Sequence, residues 1–165
     1  MHPKAEVNGD VSIGKFCWIG PFASIRGDFG KIIIGDNCNI QEGCVLHCFP
    51  NEELVLKDAV HVGHGAILHG CTIFSNVLIG IRATVLDKSL IHENSIVGAH
   101  SLVLAKSTLE SGHLYFGAPI KQIRPLKETE IDWIQRGVLE YVQLISLYKK
   151  LPAVDKKTFC HTFKP

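Results

Sequence analysis

The chain has 165 residues and a formal charge of +1, with 17 Lys and Arg against 16 Asp and Glu. That length suits one domain with a sizeable core, and bases spread along a near-neutral chain give no electrostatic reason for nucleic acid or a membrane surface as partner. No N-terminal apolar run resembles a signal peptide and no stretch reaches the roughly 18 apolar residues of a membrane-spanning helix, so the expected location is cytoplasmic.

From Val7 to about Ser107 an aliphatic residue recurs at every sixth position: Val7, Ile13, Ile19, Ile25; Ile34, Ile40, Leu46; Leu56, Val62, Leu68; then Ile73, Ile79, Val85, Ile91, Val97 and Val103. A small residue often follows four positions later, as at Cys17, Ala23, Cys38, Cys44 and Ala83, and Gly commonly follows directly, as at Gly14, Gly35, Gly63 and Gly80. Six-residue periodicity is the signature of a parallel β-helix, in which each unit is one short strand and a turn. Residues 1–108 therefore read as an all-β solenoid. Most of the cysteines fall at small inward positions (Cys17, Cys38, Cys44 and, by equivalence, Cys71), where a free thiol acts as a small buried hydrophobe. Their spacing matches no zinc-binding pairs.

With three units per coil, counting hexads puts Ile25, Leu46, Leu68 and Val85 on one face. Ile19, Ile40, Val62 and Ile79 share a second face, and Ile34, Leu56 and Ile73 share the third. His47 follows Leu46 and His69 follows Leu68, so the two imidazoles stand in one column on adjacent coils, about 4.7–4.9 Å apart and within reach of one metal. Arg26 occupies the same column one coil earlier. His64, two residues after Val62, points toward a different corner of the prism. It is expected to complete the site of a neighbouring subunit in a closed threefold assembly.

Residues 109–126 contain Gly112, Gly117, Pro119 and Pro125 and read as a turn-rich connector without a period. Over 127–150 the pattern becomes helical, with Ile131, Ile134, Val138, Tyr141, Val142, Ile145 and Tyr148 on an apolar face expected to cover the solenoid. Thr129 is the expected N-cap, and Gly137 costs this helix roughly 1 kcal/mol relative to Ala. Residues 151–165 read as an irregular tail, and the whole chain as one structural domain.

The segments Ile25-Arg26-Gly27-Asp28, Ile34-Gly35-Asp36-Asn37, Asn39-Ile40-Gln41-Glu42-Gly43, His47 and Gly63-His64-Gly65-Ala66-Ile67-Leu68-His69-Gly70-Cys71 resemble the γ-class carbonic anhydrase family. The similarity spans nearly the whole chain and is greatest to its phenylacetate-degradation and carnitine-operon branch. The resemblance implies a left-handed parallel β-helix with a C-terminal α-helix, assembled as a homotrimer. It also implies zinc at the subunit interface, held by His47 and His69 of one subunit and His64 of the next. By the same resemblance Arg26 and Asp28 form an interfacial ion pair beside the metal, and Gln41 bonds the metal-bound solvent. Two departures bear on activity. Phe29 stands where the prototype has Glu, and the loop Cys48 to Leu54 offers only Glu52 and Glu53 as proton shuttles.

Three neutral imidazoles with an open fourth position describe a catalytic zinc site. Such a metal lowers the pKa of bound water to about 7, the value carbonic anhydrases reach, and supplies hydroxide for attack on CO2 to give bicarbonate. Imidazole also suits Fe2+ and Co2+. The alternatives are a CoA thioesterase or acyl-CoA-handling protein of the phenylacetate or carnitine pathway, an acyltransferase, and a metal-binding scaffold trimer with little catalysis. The stacked histidine pair argues against the acyltransferase, which needs only one histidine as base.

Overall fold

A computed structural model describes residues 1–148. Its strands are mostly two residues long, too short to persist alone, and each is held by parallel pairing with the coils above and below. Trp18–Ile19, Asn39–Ile40, His61–Val62, Leu78–Ile79 and Ile96–Val97 pair in that order along one face. The long strand Ser24–Ile34 serves the other two faces. Its start pairs with Val45–His47, which pairs with Ile67–His69, and its end pairs with Glu53–Leu56, which pairs with Thr72–Ile73. The three aliphatic columns expected from the hexad count are thus the three inner walls. Ile25, Leu46 and Leu68 are in register on one wall, Ile19, Ile40 and Val62 on another, and Ile34, Leu56 and Ile73 on the third; all nine are buried.

The turns explain the rest of the repeat. Three residues after most of the aliphatic positions the backbone enters the left-handed region, at Phe16, Phe22, Asn37, Asn76, Arg82 and His100 among others. For a residue other than Gly this costs roughly 1–2 kcal/mol. The stacked turns hold it, because such a residue donates its N–H to the coil below, as Asn37 does to Lys15 O at 2.8 Å and Arg82 to His64 O at 2.9 Å. The glycine directly after the aliphatic residue has another cause. A Cβ on Gly80 would stand 2.5 Å from the backbone nitrogen of Ala99, so the next coil leaves room for hydrogen only.

The segment 109–126 is not the unstructured connector expected from its turn residues. Leu109 and Tyr115 continue the six-residue spacing, and Tyr115, in strand His113–Phe116, pairs with Val97 and is buried. A count restricted to aliphatic residues passes over that aromatic. Lys121–Pro125 then pairs antiparallel with His113–Phe116 and covers the last edge, which an open solenoid would otherwise expose.

Helix α1 runs over Glu128–Tyr148; residues 149–150 of the expected helix and the tail 151–165 lie outside the described residues. Its N-cap is Lys127 rather than Thr129. Glu130 Oε2 accepts the Lys127 N–H at 2.8 Å, the return half of a capping box, while Arg124 holds both oxygens at 2.7 and 2.8 Å. These bonds, the Arg124 one foremost, pull the Glu130 carboxyl down to about 2. Ile134 and Val138 are buried against the solenoid, and Ile131, Tyr141, Val142 and Ile145 are partly so. Gly137 lets α1 approach: a Cβ there would lie 2.9 Å from Cε1 of His61. Among the described residues no helix is long and apolar enough to cross a membrane.

Candidate metal and substrate site

His47 and His69 are in register on adjacent coils, and His47 Nδ1 lies 3.3 Å from His69 Nε2. The outer nitrogens fix the protonation of the inner ones. His69 Nδ1 sits 2.5 Å from Asp87 Oδ1, and His47 Nε2 sits 3.0 Å from Asp28 Oδ1. A carboxylate can only accept, so with each imidazole neutral both outer nitrogens carry the proton and the inner nitrogens turn lone pairs toward each other, an arrangement that a cation between them would satisfy. The edge of a tetrahedron with ligands at 2.0–2.1 Å is about 3.3 Å, which is the separation found here.

Arg26 lies beside this pair. Its Nη2 is 3.2 Å from His47 Nε2, and its Nε is 3.6 Å from Asp28 Oδ2. Arg26 and Asp28 compete for one ring nitrogen, and the shorter contact belongs to Asp28. Desolvation raises the Asp28 carboxyl, but the bond from His47 and the charge of Arg26 outweigh it and hold it below its ordinary range. The rings of Phe29 and Phe49 flank the histidines at 5.4 and 4.7 Å although both phenylalanines are more than half exposed. Phe29 thus lines the site where an acid would otherwise stand.

The two shuttle candidates differ in burial. Glu52 Oε1 pairs with Lys88 Nζ at 2.8 Å, while its Oε2 is buried without a partner. That orphan oxygen lies near Gly70, on which a Cβ would be 3.3 Å from it and 2.6 Å from the Asp87 carboxylate. Glu53 begins the strand Glu53–Leu56 opposite Lys31, is exposed, and lines one cleft with Glu52, Asp28 and Phe29. Cys48 is buried, donates to the Lys31 and Glu52 carbonyls, and has its thiol pushed up by burial, so it serves packing. Cys17, Cys38, Cys44 and Cys71 are likewise free thiols.

His64 stands apart, as the hexad count expects. Its Nδ1 is held by Glu42 Oε2 at 2.7 Å, and its side chain is half exposed, which leaves Nε2 open to the outside. Gln41 lies with His64 on this second wall rather than with His47 and His69. It ends a relay of bonds that reaches α1. Gln41 Nε2 donates to Asn39 Oδ1 at 2.9 Å, Asn39 Nδ2 to His61 Nδ1 at 2.8 Å, and His61 Nε2 to the Ile134 carbonyl at 3.0 Å. Burial holds the His61 imidazole neutral, below its ordinary 6.5.

Among the described residues of one chain, no three His, Cys, Asp or Glu side chains converge as a metal cage. The pair His47–His69 and the lone His64 would nevertheless suit a divalent metal as donors, because each imidazole has one nitrogen pinned by a carboxylate and none of the second nitrogens is committed to a backbone or carboxylate group. Two of those carboxylates, Asp87 and Glu42, were not singled out from sequence. Asp87 was open to detection: Val85 follows Leu68 in the same column, and a carboxylate two residues on falls beside His69.

The six-residue coils and their parallel register define a hexapeptide-repeat solenoid. Residues 10–48 match the family model described as bacterial transferase hexapeptide (six repeats). The carnitine operon protein CaiE of Escherichia coli K12 is 39% identical over 145 residues, spanning 88% of this chain and 74% of that protein. A hexapeptide transferase family protein of Anaplasma phagocytophilum superposes with a TM-score of 0.81 at 33% identity, covering 89% and 90% of the two chains. A Bacillus cereus protein that carries the name acetyltransferase does so at 0.75 and 35%, covering 90% and 93%. The chain belongs to the hexapeptide-repeat transferase family. These names point toward acyl handling and the carnitine operon, and lend no support to CO2 hydration.

Proposed function

We infer that this chain is a metal-dependent enzyme that directs water onto a carbonyl carbon, at a site completed between copies of itself in a homotrimer. The observation that carries this reading is the pair of lone-pair nitrogens of His47 and His69 at 3.3 Å, each oriented by its own carboxylate. Zn2+, with Fe2+ or Co2+ as substitutes, would supply Lewis acidity and hydroxide at neutral pH. His64 of an adjoining copy, pinned by Glu42 in the same way, is the third ligand in this reading. Asp87, Asp28 and Glu42 fix the ring orientation and keep the imidazoles good donors. Arg26 holds Asp28 ionised beside His47. Gln41, tied by its amide nitrogen to Asn39, has its carbonyl oxygen left to orient water or substrate next to His64. Glu52, with one buried oxygen unpartnered, takes up the proton in this reading, and Glu53, in the same cleft as Asp28, is the second acid.

An acyl-CoA thioester is the electrophile favoured by the relatives' names. CO2, hydrated to bicarbonate, is the second reading and is favoured by the arrangement of histidines that resembles the γ-class anhydrases. One preparation loaded in turn with zinc, iron and cobalt, assayed for thioester hydrolysis and for CO2 hydration, separates them. Turnover of thioesters alone removes the anhydrase reading, turnover of CO2 alone removes the thioesterase, and inactivity toward both with metal bound leaves a scaffold.

A further inference from the structure

A half-open cavity of about 250 Å3 lies between α1 and the face that carries His61–Val62 and Leu78–Ile79. Leu78, Ile79 and Ile81 form its solenoid wall, and Trp133, Ile134 and Tyr141 its helix wall; Gln41 and His64 line it too. Trp133 and Tyr141 are eight residues apart on α1, about 12 Å along the axis, so the space is a slot rather than a bowl. Its volume falls below the 300–1,000 Å3 of pockets that enclose whole drug-sized ligands. It therefore suits one arm of a larger molecule. Ile81 and Trp133 remain about half exposed along it, two large apolar side chains that the chain itself does not cover.

Charge narrows the occupant further. Glu140 lines the slot, and no Lys or Arg does. The Tyr141 hydroxyl is pushed up to about 12, first by burial and then by Glu42, Cys44 and Glu140, which marks surroundings hostile to a further negative charge. Ile81 follows His64 in the same column one coil on, since Ile79 pairs with Val62, so a chain with its reactive head at the proposed ligand His64 would have its body between Ile81 and Trp133.

We propose that this slot is the acyl subsite, taking an uncharged, apolar acyl chain of about six carbons from a thioester whose carbonyl lies at His64 and Gln41. The inference rests on the acyl-thioester reading above and extends it to the substrate's acyl part. Hydrolysis there joins the oxygen of water to the acyl carbon and breaks the carbon–sulfur bond, releasing a carboxylic acid and a thiol that together carry the two protons of the water. Acyl groups that end in a carboxylate are excluded by Glu140 and by the lack of any cation in the slot.

The test uses full-length, metal-free protein carrying Trp18→Phe, which leaves Trp133 as the single tryptophan. It is titrated with non-hydrolysable S-methyl-CoA, S-hexyl-CoA and S-(5-carboxypentyl)-CoA, reading Trp133 fluorescence and binding heat. Each methylene seated in an apolar slot tightens binding about fourfold, so S-hexyl-CoA, with at least half of its five additional methylenes seated, is expected to bind at least about thirtyfold more tightly than S-methyl-CoA, with the carboxylated chain no better than methyl. Ile81→Phe, which narrows the slot without adding a tryptophan, is expected to erase most of that gain. Trp133→Ala, followed by calorimetry, is expected to reduce it. Equal affinity for methyl and hexyl, or a gain that survives both substitutions, overturns the subsite. Chain-length selectivity in a protein that, metal-loaded, hydrolyses no thioester upholds the slot and rejects the hydrolase reading instead.

Discussion

His61 and the trio His47, His64 and His69 occupy the same kind of solenoid, yet they serve opposite ends. His61 is buried and both of its nitrogens are committed, one to Asn39 and one to the Ile134 carbonyl, so it fastens α1 to the coils. Each of the other three gives one nitrogen to a carboxylate; the second nitrogens of His47 and His69 meet only each other, at 3.3 Å, and that of His64 is open to the outside. A histidine becomes a candidate ligand by what its second nitrogen lacks. A satisfied imidazole is cement, and a half-satisfied one is a donor waiting for a cation.

The comparison breaks first on ligand removal. His64→Ala is expected to abolish metal binding as completely as His47→Ala, from about one ion per subunit to none. Elemental analysis of purified variants reads this, and an unchanged metal content in His64→Ala removes the shared site. His61→Gln, by contrast, should keep its metal.

Orientation comes next. Asp87→Asn replaces the carboxylate that pins His69, and losing such a partner lowers metal affinity about 10- to 100-fold. Competition against a chelator measures it, while the urea midpoint of the metal-free protein should stay within error of the parent. Equal affinities would reduce Asp87 to a surface acid.

The cement side is tested by stability. Gly137→Ala gains helix propensity of roughly 1 kcal/mol but drives a methyl group to 2.9 Å from the His61 ring, and overpacking of that kind costs about 1–3 kcal/mol. The net expectation is a loss of up to about 2 kcal/mol in urea unfolding, with metal content unchanged. A stabilised variant would show that the close approach of helix and ring is slack.

The smallest effect is in pH. The folded His61 imidazole has its pKa below the unfolded value of 6.5, so the unfolded chain binds the proton more readily. Its contribution is therefore complete above pH 6.5 and declines as the pH falls through the lowered folded value. Protonation would also put an N–H on Nδ1, facing the donor Asn39 Nδ2. The fall in urea midpoint between pH 7.5 and 5.5 should be smaller in His61→Gln than in the parent; an equal fall assigns the acid sensitivity to other groups.

Much of the solenoid was legible because a fixed period leaves few ways to stack. Three columns of aliphatic residues, and the adjacency of His47 and His69, follow from counting hexads. Beyond Val103 the period rests on Leu109 alone before Tyr115 takes an aliphatic position with an aromatic, and Gly112, Gly117, Pro119 and Pro125 around it have the composition of a connector. The N-cap was misplaced because Glu130 caps through Lys127 only when Arg124 holds it from the preceding strand. Asp87 and Glu42 went unassigned because their roles depend on side chains reaching between coils, and so did the part His61 plays with Gly137, which joins elements far apart in sequence.

The six-residue period by itself determined the coil, the three inner walls and the stacking of His47 over His69, since parallel strands in register leave a residue following each buried aliphatic no other column. Tertiary structure alone decided which nitrogens are free, because a carboxylate fixes an imidazole's proton only when it lies within about 3 Å. It also opened the slot beside His64, by bringing a helix near the C-terminus onto coils laid down some seventy residues earlier and holding it just far enough away for an apolar chain to enter.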